Sequence, residues 1–240
     1  MSTRPVVLVH GAWHGAWCWA PLQAELDRRG VASLAVDLPG HGSTGTTFTD
    51  LHGDARAVAE VLDVQAGFGR TAPILVGHSY GGAVITEVAA GRSDVAHLVY
   101  LAAFALLEGE TVMGALTAMP KREVGLSAAM RPGPDGTSTL DASLAVPALY
   151  GSCDPVVAAA AVARLSPQPM ATMIQAVSGS PLDRVPSTYV VCQRDDAVHP
   201  DHQRIMAERC RNTVTFDTDH SPFVSMTKET ADLLESLARS

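Results

Sequence analysis

The sequence predicts an α/β fold: a doubly wound sheet of six mostly parallel strands, with helices on both faces and a cap inserted after the fourth strand. Three observations carry this reading. Short apolar runs without polar alternation, such as Val6-Val7-Leu8-Val9, mark strands buried on both faces, as in helix-covered parallel sheets. Amphipathic segments separate the runs, giving a β-α-β-α-β-α-β rhythm up to Leu101. The third run, Ile74-Leu75-Val76-Gly77, turns at His78-Ser79-Tyr80-Gly81 directly into a helix of small residues.

Taken in order, the first strand leads into His10-Gly11-Ala12-Trp13-His14-Gly15-Ala16-Trp17. A helix follows over Trp19–Arg29, with Leu22 and Leu26 one turn apart and Gly30 as its stop. Val31–Val36 reads as a second buried strand, closed by Asp37-Leu38-Pro39-Gly40-His41-Gly42. Leu51, Ala55, Val58, Val61 and Leu62 form the apolar stripe of a helix ending near Gly67. After the Ser79 turn and its helix, Val95–Leu101 is the fourth strand, β-branched and aromatic in character.

The rhythm breaks after Ala103. Residues 104–183 are rich in proline, and clear helix signals occur only from Pro155 to about Leu165 and from Met170 to Val177. Gly133-Pro134-Asp135-Gly136 reads as the turn of a small hairpin. This cap interrupts a single domain of 240 residues whose core is 1–103 and 184–240. It holds Met113, Met119, Met130, Met170 and Met173, read either as an adaptable ligand wall or as loose packing. The β-α pattern resumes with a strand Ser187–Gln193, a helix Pro200–Cys210, a strand Thr213–Phe216 and a helix Thr227–Ala238.

Composition excludes several classes. A net charge of −8 argues against nucleic acid or an anionic membrane as partner, and no run reaches transmembrane length. Cys18, Cys153, Cys192 and Cys210 have no metal or disulfide spacing, so reduced thiols in a cytoplasmic protein are expected. The residues around Arg4 lack the long apolar segment of a signal peptide. His10/His14 and His199/His202 are the histidine pairs at helical spacing. Neither has a supporting carboxylate motif, so no metal site and no cofactor are expected. A homodimer is compatible with these features.

In open α/β sheets, functional groups sit on loops at the C-terminal ends of strands. A Gly-x-Ser-x-Gly string arises by chance in about one chain in ten of this length, so its setting decides. Here an apolar strand precedes Ser79 and a helix follows, which lifts the hydroxyl above the sheet as a candidate nucleophile. The first loop supplies Gly11, where the backbone can approach a substrate, and the Ala12 N–H; with the Tyr80 N–H it would form an oxyanion hole. A triad also needs a carboxylate to orient its histidine. Asp195 and Asp196 compete for that place and Asp201 is more distant; position at the strand end favours Asp195. His220 alone among the histidines lies after the last strand, in the chain order Ser…Asp…His. His10, His41 and His78 adjoin the site turns, His14 could line the pocket, and His199 and His202 read as a solvated helix start. Trp13, Leu106 and Leu107 would wall the substrate pocket.

These motifs carry a resemblance. His10-Gly-Ala-Trp-His-Gly-Ala-Trp-Cys-Trp, Asp37-Leu-Pro-Gly-His-Gly, Gly77-His-Ser-Tyr-Gly-Gly, Cys192-Gln-Arg-Asp-Asp with Gln203, and Asp219-His220 resemble the α/β-hydrolases grouped with plant methyl-esterases and hydroxynitrile lyases. The match spans both halves of the core and is weak in the cap. The resemblance implies an α/β-hydrolase fold with six parallel strands, an acid three residues after Cys192 (hence Asp195), and Ala12 and Tyr80 as oxyanion donors. The lyase branch has Thr and Lys where this chain has Gly11 and Ser221, which favours the esterase branch. The function implied is a carboxylic-ester hydrolase acting on esters or lactones of small apolar molecules through an acyl-enzyme. The alternatives are a small-molecule receptor on the same fold, or a perhydrolase or C–C lyase using the same triad.

Overall fold

The computed structural model describes residues 3–67, 71–133 and 135–240. The first apolar runs form β1 (Val6–Val9), β2 (Ser33–Val36), β3 (Ile74–His78) and β4 (His97–Leu101). Between them lie α1 (Ala20–Arg28), α2 (Leu51–Gly67) and α3 (Gly81–Ala90). The cap segment contributes α4 (Val112–Ala118), α5 (Gly125–Ala129), β5 (Met130–Pro132), β6 (Thr137–Leu140), α6 (Ala142–Tyr150), α7 (Pro155–Val162), β7 (Gln168–Pro169) and α8 (Ala171–Ile174). The core resumes with β8 (Ser187–Cys192), α9 (Pro200–Ala207), β9 (Asn212–Phe216), α10 (Pro222–Ser225) and α11 (Thr227–Arg239).

The main sheet has the order β2-β1-β3-β4-β8-β9, and every neighbouring pair is parallel. Strand side chains alternate between its faces. Val7, Val9, Leu75, Tyr100 and Tyr189 join one core cluster, with Val58 of α2, Val84 of α3 and Met206 of α9. Val6, Leu8, Ile74, Val76 and Val99 face the other way, onto Leu22 and Leu26 of α1 and Leu234 of α11. This two-sided burial explains why the central strands read as unbroken apolar runs. β2 departs from the reading as a buried strand: it lies at the sheet edge, and Leu34 is exposed there.

The cap sheet pairs β5 with β6 and β6 with β7, all antiparallel. The expected hairpin is present: Gly133 N–H donates to Thr137 O (2.7 Å), while Pro134 of its turn lies outside the described residues. The helix expected over Met170–Val177 is shortened to α8. Gln175 turns extended there, its Oε1 accepting Leu51 N–H (2.7 Å) and its amide donating to Asp50 (3.0 Å). α6 escapes the sequence reading because Pro147 interrupts its helical pattern, although Asp141 caps its start by accepting Ser143 N–H. Met119 and Met173 are buried against the main core, with Met130 and Met170 partly buried beside them, whereas Met113 is exposed. Among the described residues no helix is long and apolar enough to cross a membrane.

Candidate active site

Because the strands run parallel, the loops after β1, β3, β8 and β9 leave from one edge of the sheet. At the end of β3 the chain reverses through Ser79, whose φ of 52° lies in the left-handed region that non-glycine residues rarely adopt. The turn fits only because its flanks lack side chains. A Cβ on Gly77 would fall 2.4 Å from Gly81 O, and one on Gly81 would fall 2.5 Å from Val9 O. Ser79 N–H donates to Leu101 O (3.3 Å) and Ser79 O accepts from Phe104 N–H (3.1 Å), which ties the turn to β4. Ser79 keeps 8% of its surface exposed at the start of α3.

His220, after β9, stands with its ring 4.5 Å from that of His78, and His78 Nε2–H donates to the His220 carbonyl (2.8 Å). Its Nδ1 pairs with Asp195 Oδ2 at 2.7 Å, a buried contact that leaves Nε2 as the free ring nitrogen. Asp195 is held on every side. Oδ1 accepts Ala197 N–H (2.7 Å) and Val198 N–H (2.9 Å), and Oδ2 also accepts from Gln203 Nε2 (2.8 Å). Gln203 is oriented in turn by Cys192 N–H on its Oε1 (2.8 Å) and by Val198 O on its amide (2.7 Å). Asp196 points elsewhere, accepting Gly125 N–H of the cap (2.8 Å), while Asp201 pairs with Arg122 and Arg204. No hydrogen bond joins Ser79 Oγ to His220 among the described residues.

The loop after β1 shows a second regularity. Gly11 O accepts from His10 Nδ1 (2.8 Å) and His14 N–H (3.3 Å), and Ala12 O accepts from His14 Nδ1 (2.7 Å). Trp13 N–H donates to Gln168 Oε1 (3.1 Å), and Trp13 O accepts Ser166 N–H (2.8 Å). From Gly11 O to His14 N–H, each backbone polar group therefore has a partner among the described residues except the Ala12 N–H. The Tyr80 N–H likewise has no acceptor among the described residues. Two unpaired donors in a buried loop and at a helix start are suited to receive negative charge. Gly11 proves to be constrained by the Ser79 turn itself: a Cβ there would stand 2.9 Å from Ser79 Cβ.

Burial fixes the protonation of the surrounding histidines. Desolvation pushes His10 down to about 3 and His14 and His41 to about 4, and it holds His78 well below its ordinary value. His10 therefore donates through Nδ1 and accepts Leu38 N–H at Nε2 (3.0 Å), and His14 accepts from the Tyr150 hydroxyl at Nε2 (2.7 Å). The Tyr80 hydroxyl donates to buried Asp54 (2.7 Å), whose carboxyl is raised to about 6, chiefly by desolvation. Asp219 joins the histidine loop to the cap by accepting Ser221 N–H (3.0 Å) and Ser152 N–H (2.8 Å).

Trp13 is buried at φ 63°, and its indole donates to Ser138 O and Oγ (3.2 Å each). Leu106 is buried in the same apolar cluster as Trp13, whereas Leu107 is 43% exposed. His202 is not solvated as expected: it is buried and bonds Pro120 O (2.7 Å), while His199 caps α9. Among the described residues no group of histidine, cysteine and acidic side chains is arranged to hold a metal ion. The sequence reading missed Gln168, Ser138 and Asp54. No motif surrounds the first two, and Asp54 reads as an ordinary polar residue of a helix start.

Residues 6–233 match the model of the alpha/beta hydrolase family, and the chain belongs to it. It is 30% identical over 239 residues to the alpha/beta hydrolase nvfD of Aspergillus novofumigatus (strain IBT 16806), covering 94% of this chain and 92% of that one. It is 27% identical over 254 residues to the putative chloroplastic methylesterase 11 of Arabidopsis thaliana, covering 100% of this chain and 65% of that relative's length. The crystal structure of the methylesterase protein MES16 from Arabidopsis superposes with a TM-score of 0.81 at 25% identity, covering 99% of this chain and 100% of that one. The resemblance to plant methylesterases thus reappears in both sequence and structure.

Proposed function

We propose that this chain is a serine hydrolase that cleaves carboxylic esters or lactones of small, largely apolar molecules in the cytoplasm. Ser79 is the nucleophile, His220 the base and Asp195 the orienting acid. The observation that carries the reading is the 2.7 Å contact between His220 Nδ1 and Asp195 Oδ2. It commits the histidine proton to Nδ1 and leaves Nε2 to accept the Ser79 proton as the hydroxyl attacks the ester carbonyl. The Ala12 and Tyr80 N–H groups receive the carbonyl oxygen as it gains charge. His220 then returns its proton to the departing alcohol. Water, activated by the same Nε2, resolves the acyl-enzyme. Gly11, Trp13 and Leu106 bound the reacting end of the pocket, and Leu107 meets substrate at its outer margin. The methylesterase relatives support an ester, and the buried apolar side chains of Trp13 and Leu106 beside the Ser79 turn are compatible with an apolar acyl or alcohol group.

The test is steady-state turnover of a panel of p-nitrophenyl esters, methyl esters and lactones by the native chain and by Ser79→Ala. A burst followed by continued turnover, lowered on the order of 10⁶-fold in the variant, is the expected result. Equal turnover by both proteins, or binding without turnover in the native chain, would sink the reading.

A further inference from the structure

We propose that Gln168, on cap strand β7, is a positioning residue that sets the direction of the Ala12 N–H; this rests on the oxyanion role given to that N–H above. Gln168 is fully buried, although it lies in a proline-flanked stretch with no motif. Its Oε1 accepts Trp13 N–H at 3.1 Å, and its amide donates to Thr172 Oγ1 at 2.9 Å. Thr172 Oγ1 donates to Pro169 O at 2.7 Å, which fixes which end of the Gln168 amide faces Trp13.

The peptide joining Ala12 to Trp13 is thereby held at both ends, by Gln168 at its N–H and by His14 Nδ1 at its carbonyl. Trp13 is kept at φ 63°, a conformation an indole-bearing residue leaves readily when its restraints go. The neighbouring peptide, which carries the Ala12 N–H, shares the Ala12 Cα with it. That neighbouring peptide is held at its carbonyl by His14 N–H on Gly11 O (3.3 Å), so if Trp13 leaves φ 63° the His14 N–H is drawn off Gly11 O and the peptide carrying the Ala12 N–H can turn away from the site above Ser79. The cap would then tune the transition state and not merely enclose the substrate.

The experiment compares native protein, Gln168→Met, Gln168→Glu and Thr172→Val. It measures kcat and KM on one p-nitrophenyl ester, thermal midpoints, and inhibition by 2,2,2-trifluoroacetophenone. Ser79 Oγ adds to the carbonyl carbon of that ketone, its proton passes to His220, and the carbonyl oxygen becomes an oxyanion with no group leaving. The probe therefore reports the hole directly. Gln168→Met keeps the volume and removes the acceptor. It is expected to lower kcat about 10-fold, to leave KM within about twofold, and to weaken the ketone by the same factor as kcat/KM. Gln168→Glu, which keeps the acceptor oxygen, should recover most of the loss. Thr172→Val should give a smaller loss of the same kind, and it stands in should Gln168→Met fail to fold. A lower thermal midpoint with unchanged kcat and ketone affinity in Gln168→Met and Thr172→Val would overturn the positioning role while leaving the oxyanion reading intact. A native protein that does not form the ketone adduct would overturn that reading, and this inference with it.

Discussion

Replacing Asp195 by Asn should do far more than remove one charge. The two oxygens of Asp195 have unequal neighbours: Oδ1 accepts two backbone N–H groups, and Oδ2 faces Gln203 Nε2 and His220 Nδ1. An asparagine must keep its oxygen toward the two N–H groups, since turning its NH₂ there would oppose two donors with a third. The NH₂ then faces His220, whose Nδ1 can only accept from it. The proton moves to Nε2, and the base is lost. A histidine held in the wrong tautomer costs a Ser-His-Asp triad about 10⁴ in kcat, or about 5.5 kcal/mol of transition-state stabilisation. Asp196→Asn is the matched control. Its oxygen can still accept Gly125 N–H, so kcat should stay within about threefold of native. Single-turnover and steady-state rates on an activated ester, with circular dichroism to verify folding, measure both. An Asp195→Asn enzyme within tenfold of native, or an Asp196→Asn enzyme that is the more damaged, would refute the assignment.

Gly81→Ala should cost about 3 kcal/mol in urea denaturation, because its Cβ would sit 2.5 Å from Val9 O and 2.7 Å from His10 O, backbone atoms that cannot turn aside. Gly91→Ala, where an added Cβ meets nothing within 4 Å, should change stability by less than about 1 kcal/mol; equal effects at the two sites would contradict the close packing of the Ser79 turn. Stability should also fall steeply in mild acid. The folded state holds His10, His14, His41 and His78 below their ordinary value of 6.5, so their contribution is intact above that pH. It is lost as pH falls towards 4, where the unfolded chain takes up protons that the folded one refuses. Asp54, raised to about 6, works the other way, adding stability as pH falls from 6 toward 3.8. The four histidines outnumber the one carboxyl, so unfolding near pH 5 takes up protons on balance and stability falls from pH 7 to 5. Urea midpoints that stay level between pH 7 and 5 would contradict it.

The core was legible because its physics is periodic. Two-sided burial leaves unbroken apolar runs in β1 and in Ile74–Gly77 of β3, and the Ser79 turn announces itself by glycines that have no room for a side chain. The edge position of β2 was not legible, since pairing on one side only is a property of the assembled sheet. Asp195 and Asp196 could be ordered by position, but what separates them physically is Gln203 and the turn at Ala197 and Val198. The cap resisted reading for a related reason. α6 carries an internal proline, β7 is two residues long, and the contacts of Gln168 and Ser138 with Trp13 span 155 and 125 positions. Such contacts leave no local pattern.

The central claim, that Ser79 forms a covalent acyl-enzyme, is tested most directly by rapid-quench mass spectrometry after mixing the native chain with p-nitrophenyl butyrate. The expected result is a butyryl adduct on the peptide containing Ser79, formed in the burst and absent from Ser79→Ala. It should persist in Asp195→Asn only on the slower timescale of that variant. An adduct on any other residue during the burst, or product released by Ser79→Ala at the native rate, would contradict it.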